Sequence, residues 1–167
     1  GVNYYLPNTR SSIFNAKLYL TPAPLLMASE DIVKAMEQEP SVKQIRHMAT
    51  LAQMSIVGIG GVDSNATLLT NGTLNHSDVL LLSMQGAVGD MLCHFIDKDG
   101  NVIQSSLERR LMSTPLEQLK EMSNSIGVAG GSTKSEAILA ALKGNYLDVL
   151  ITDETTATNV LRLKNQE

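Results

Sequence analysis

The chain carries one cysteine, Cys93, in 167 residues. A single thiol excludes an internal disulfide and suits a reducing compartment, so the expected location is the cytoplasm. No Cys-x-x-Cys or His-x-x-x-His pair occurs, and no metal or other cofactor is expected. His47, His76 and His94 are scattered; a site needs partners, so each is read as an ordinary surface or core residue. No apolar run reaches the roughly 20 residues of a membrane helix. The first residues, GVNYYLPNTR, have neither the charged region nor the apolar stretch of a signal peptide. They also lack an initiator Met, as expected of a fragment or a processed product. Positive charge is short: 13 Lys and Arg against 17 Asp and Glu give a net charge of −4. Non-specific nucleic-acid binding feeds on excess positive charge, so this segment is a poor DNA binder by itself. The phosphate-loop pattern G-x-x-x-x-G-K-[ST] is absent.

What is present is a chain 43% hydrophobic, long enough for one domain with a sizeable core. AKLYLTPAP, residues 16–24, reads as a strand ending at Pro22 and Pro24. SEDIVKAMEQE follows as a helix capped by Ser29, and SVKQIRHMATLAQ as a second. MSIVGIGG has the pattern of a buried parallel strand. Residues 61–78 are loop-like, with room for a short turn of helix; HSDVLLLSMQG is a helix closed by Gly86. AVGDMLCHFIDKDGNVIQ reads as a β-hairpin whose turn is supplied by KDGN. Thr114 and Pro115 open the helix TPLEQLKEM. SIGVAGG, TKSEAILAALKG, LDVLIT and DETTATNVLRLKNQ then alternate strand, helix, strand, helix. The fold class is therefore α/β with a mainly parallel sheet and helices on both faces. Residues 1–16 have weak periodicity and form a poorly defined front segment.

Ligands of open α/β sheets gather at the carboxyl ends of strands. In AGGSTK, Gly130 and Gly131 permit a tight turn and close backbone approach. Thr133 and Glu136 match a capping box, the new helix offers free N–H groups to an anion, and Lys134 adds positive charge. On spacing alone the stretch is equally an anion site or a plain turn with a solvated lysine. GIGG, ending in Gly60 and Gly61, lacks the third glycine of a dinucleotide fingerprint and runs into a loop. Asp90, in GAVGD, could accept hydrogen bonds from sugar hydroxyls, act as a base, or be a solvated turn residue. Asp153 and Glu154 are read as starting the last helix. Cys93 is read as a buried thiol and the methionines as core filler.

Six stretches in this order, TPAPLL, VGIGG, GAVGD, FIDKDGNVI, VAGGSTKSEAILAALKG and LITDETTATNVL, resemble the sugar-binding effector domain of SorC-type bacterial transcriptional regulators, a group often placed with DeoR-type regulators. The match runs from about Lys17 to Leu163. The resemblance implies a Rossmann-like three-layer α/β/α fold, that of ribose-5-phosphate isomerase and glucosamine-6-phosphate deaminase. It implies a domain that binds a sugar or sugar phosphate without chemistry, and that controls operator DNA through a preceding helix-turn-helix domain absent from this chain. It implies dimers or tetramers and no membrane partner. Asp90 matches the acidic residue that holds sugar hydroxyls, Lys134 the lysine that meets a phosphate or polar end, and the GIGG glycines a loop bordering the pocket. Ser132 and Thr133 lie in the lysine's turn. Residues 1–167 then form the C-terminal part of such a domain, because the further βαβ unit and phosphate-binding turn expected in front are not found before TPAPLL. No Lys or Arg lies between Arg46 and Lys98, which favours a neutral or singly phosphorylated sugar. The alternative function, on the same fold, is a sugar-phosphate isomerase or deaminase.

Overall fold

Short apolar runs, those of the two central strands closed by glycines, assemble into one mixed sheet. The computed structural model describes residues 13–63, 67–70 and 72–166. Residues 1–12, most of the poorly defined front segment, lie outside the described residues. Helix α1 (Glu30–Met36) is capped by Ser29, whose Oγ accepts the Ile32 N–H at 3.4 Å. Pro40 opens α2 (Pro40–Thr50) at a position where its missing N–H costs nothing. Strand β1 (Ser55–Gly61) leads to α3 (Thr67–Thr70) and α4 (His76–Met84). A reciprocal capping box of Asn75 and Asp78 starts α4.

Two expectations are corrected here. Residues 16–24 form no strand; instead Leu26 bridges Leu111, and Met112 N–H donates to Leu25 O at 2.7 Å. Pro22 and Pro24 lack the N–H that a ladder needs, so pairing begins only beyond them. The hairpin turn also lies elsewhere. β2 (Gly89–Met91) pairs with β3 (His94–Ile96) through the two-residue turn Leu92–Cys93, both with positive φ (50° and 69°). KDGN makes a second turn, which returns Val102 to bridge Ile96. There Asp97 Oδ1 accepts the N–H groups of Asp99 and Asn101, each at 2.9 Å. Gly100 has φ +84°, and a Cβ there would lie 2.5 Å from Ala140 O.

Helix α5 (Glu117–Glu121) begins two residues after Pro115, later than expected. β4 (Ser125–Val128), α6 (Ser135–Lys143), β5 (Val149–Ile151) and α7 (Glu154–Lys164) complete the chain. The sheet order is β3-β2-β1-β4-β5. β1, β4 and β5 are mutually parallel, and the β2–β3 hairpin lies antiparallel along one edge.

Alternation along the strands sends side chains to two faces. On one face Val57, Ile59, Met91 and Ile96 meet Ala137, Ile138 and Ala141 of α6, Leu119 of α5 and Val160 of α7. A Cβ on Gly89 would overlap Ala137, so glycine there lets α6 lie close on β2. On the other face Phe95 packs against Leu68 and Leu74, and against Val79 and Leu82 of α4. The hairpin end thus has helices on both sides. A third cluster, Met27, Val33, Val42 and Met112, seats α1 and α2 beside the body.

Candidate functional site

The register of β1 and β2 sets Asp90 directly opposite Gly60. A Cβ built on Gly60 would overlap Asp90 Oδ1, so the carboxylate occupies the space that glycine leaves. Asp90 Oδ2 accepts the Cys93 N–H at 3.3 Å across the tight turn. Burial pushes the Asp90 carboxyl above its ordinary range, opposed by that N–H and by the charges of Lys134 and His94. A carboxylate kept short of water, with one donor among the described residues, has capacity for further donors. The Cys93 thiol is pushed up to about 11 by burial and by the Asp90 charge, so it stays protonated and is no nucleophile at neutral pH.

The second part of the site is the turn after β4. Gly131 adopts φ +109°, which only glycine enters readily, and Lys134 N–H donates to Gly131 O at 3.0 Å to close a 3-10 turn over Ser132–Lys134. This turn moves the start of α6 to Ser135. The expected capping box of Thr133 and Glu136 does not form: Thr133 lies inside the turn, and no side chain caps α6. Gly61 faces this turn, since a Cβ there would lie 3.8 Å from Thr133 O. β1 and β4 are parallel neighbours, so Gly60, Gly61, Thr133 and Lys134 meet at the same end of the sheet. Lys134 is close enough for its charge to act on Asp90, yet no ion pair joins the two among the described residues.

Asp153 anchors the turn, a role the spacing did not reveal. Its Oδ1 accepts the Thr156 N–H at 2.8 Å, capping α7, and its Oδ2 accepts the Thr156 hydroxyl at 2.7 Å. Gly131 N–H donates both to Asp153 Oδ2 at 3.1 Å and to Thr156 Oγ1 at 2.9 Å. A Cβ on Gly130 would lie 2.8 Å from Asp153 Oδ2. The Thr156 hydroxyl, then its N–H and that of Gly131, hold the Asp153 carboxyl below its usual range. The signal in the sequence was the Gly-Gly of one strand end beside the Thr-Asp of its parallel neighbour.

His94 is a buried structural residue: Nδ1 meets Glu108 Oε1 and Nε2 meets Thr114 O, each at 2.8 Å. A cleft of about 640 Å³ opens beside it, lined by Gln104, Lys120 and Tyr146 among others, but not by Asp90 or Lys134. The chemistry-bearing groups converge instead at the strand ends, where the surface is open. Among the described residues, no group of His, Cys, Asp and Glu is placed to hold a metal ion, and no helix is long and apolar enough to cross a membrane.

A mixed α/β sheet with a partly buried carboxylate, a lysine and two glycine turns at one end defines a ligand-binding α/β domain. The chain belongs to the family described as "Putative sugar-binding domain", whose model matches residues 10–162. The transcriptional regulator LsrR of Klebsiella pneumoniae is 35% identical over 166 residues, covering 98% of this chain and 51% of that protein. LsrR of Escherichia coli K12 is 37% identical over 97% of this chain and 52% of its own length. The chain thus spans about half the length of the curated relatives it matches. A transcriptional regulator from Streptococcus pneumoniae superposes with a TM-score of 0.87 at 25% identity, covering 95% of this chain and 61% of that one. The full-length sorbitol operon regulator SorC of Klebsiella pneumoniae gives 0.81 at 25% identity, with 90% and 49% covered.

Proposed function

We propose that this chain is the effector-sensing part of a sugar-responsive transcriptional regulator. The observation that carries the reading is the convergence of Asp90, set into the gap left by Gly60, with the Gly130–Lys134 turn. A carboxylate accepts hydrogen bonds from vicinal hydroxyls, and an ammonium meets a phosphate or another polar end. Exposed Ser132 and Thr133 border the same space. The relatives are named as regulators, which favours sensing over isomerase or deaminase chemistry.

The effector acts by population shift: it changes DNA affinity only by its differential affinity for two arrangements of the protein. Operator contact belongs to a helix-turn-helix part outside these residues, and the working form is a cytoplasmic dimer or tetramer. A melting-temperature screen of the intact regulator against sugars and sugar phosphates tests the reading, because a specific ligand raises apparent stability by mass action. A sugar-dependent rise supports it. Turnover of ribose-5-phosphate that Asp90→Asn abolishes contradicts it in favour of the enzyme.

A further inference from the structure

His94 opens β3 with its side chain only 7% exposed. Its Nδ1 meets Glu108 Oε1 and its Nε2 meets Thr114 O, each at 2.8 Å. A carboxylate and a backbone carbonyl only accept hydrogen bonds, whereas a neutral imidazole has a single N–H to donate. The ring satisfies both acceptors when both its nitrogens carry a proton. A buried imidazolium beside a carboxylate is also the paired state that burial of charge requires. Other acids on the same cleft have cations of their own: Glu117 Oε1 meets Lys120 Nζ at 3.0 Å, and Glu37 Oε1 meets Arg46 Nη2 at 3.3 Å. The partner of Glu108 is His94.

We propose that His94 is a positioning residue of the effector site, a buried imidazolium held by Glu108 and Thr114 that fixes the hairpin turn beside Asp90 and brings it a positive charge. Glu108 and Thr114 flank a segment that ties the front of the chain to the sheet: Met27 N–H donates to Arg110 O at 2.8 Å, and Met112 N–H to Leu25 O at 2.7 Å. The two bonds of His94 fasten that segment to β3. His94 also follows directly on Leu92 and Cys93, whose positive φ persists only where the surroundings fix it. The Cys93 N–H of that turn is the one Asp90 Oδ2 accepts, so what fixes the turn fixes the donor. Charge acts alongside. The groups that act on Asp90 are the Cys93 turn, Lys134 and His94, and the two cations oppose the effect of burial on its carboxyl. Around the cleft, Glu37, Asp99 and Glu117 stand against Arg109, Lys120 and Lys143, so beyond Glu108 it brings no net charge to the ring. The link to the effector rests on the reading of Asp90 as the group that meets the sugar.

The test uses the intact regulator. With isotope-labelled histidine, solid-state NMR at neutral pH shows two protonated ring nitrogens in the signal that His94→Gln removes. One bare ring nitrogen overturns the proposal, wherever the other proton resides. With labelled aspartate, the carboxyl signal that Asp90→Asn removes titrates at higher pH in His94→Gln than in wild type, because a cation near it is gone. In His94→Arg it titrates as in wild type, because the guanidinium stays charged and the cleft gives it room. A side chain that only filled space would be replaced better by Gln than by Arg. An Asp90 signal unmoved in His94→Gln overturns the proposal, and so does one that moves as far in His94→Arg. Should either variant fail to fold, Glu108→Gln gives the same reading: the ring keeps one proton and Asp90 titrates higher. Sugar affinity is the last readout. On acidification it is lost at higher pH in His94→Gln, in step with the Asp90 carboxyl; loss at the same pH as in wild type overturns the positioning role. If no sugar binds, the sensing reading fails while the two NMR readings still decide His94.

Discussion

Two glycines at the strand ends make room for two aspartates, and the pairs differ in what the carboxylate then does. Gly60 admits Asp90, and Gly130 lies against Asp153. Asp153 is exposed and engaged with Thr156 and Gly131, which hold its carboxyl below the ordinary value of 3.8. Asp90 is partly buried, has the Cys93 N–H, and is pushed above that value. The first carboxylate serves the fold. The second is raised by burial, and under the proposed function it is the one that meets the ligand.

The largest effect that sharpens this contrast comes from Gly60→Ala. Its methyl group takes the place of Asp90 Oδ1, so stability falls by about 1–3 kcal/mol through overpacking, and effector affinity is lost in calorimetry. Asp90→Asn separates the two quantities: affinity falls about 10-fold to 100-fold, while the urea midpoint stays level or rises. Asp153→Ala is the mirror case, lowering the urea midpoint through loss of the α7 cap, while effector affinity falls less than in Asp90→Asn because Thr156 Oγ1 still accepts the Gly131 N–H. If Asp153→Ala costs more affinity than Asp90→Asn, the division of roles is wrong.

The smallest effect is in pH dependence, where the signs oppose. Asp90 is raised in the folded state, so the fold binds the extra proton: stability rises as pH falls through its folded value towards 3.8. Asp153 is lowered, so its contribution is present above 3.8 and is lost as pH falls below it, through its folded value. Urea titrations across this range should show Asp90→Asn removing the gain and Asp153→Asn removing the loss. The same slope in both variants contradicts the assignment.

Legibility in the sequence followed the same divide. The alternating strands and helices and the glycine turns could be read because each rests on local pattern, whereas that pattern left Asp90 and Lys134 open between a site and an ordinary turn, and only the family resemblance joined them. The hairpin turn could not: register forces positive φ on Leu92 and Cys93, residues that carry no turn signal, while the Asp-Gly pair nearby closes a different turn. The strand over residues 16–24 failed because apolar alternation cannot report whether a neighbour exists to pair with. The tie between Gly131 and Asp153 joins residues 22 apart through two strand ends, and only the parallel register of β4 and β5 brings them together.

Calorimetric titration of the intact regulator with the sugar that raises its melting temperature, wild type against Asp90→Asn, tests the central claim most directly. The account predicts an affinity at least about 10-fold weaker in the variant at an unchanged or higher melting midpoint. Equal affinity in the two proteins contradicts it.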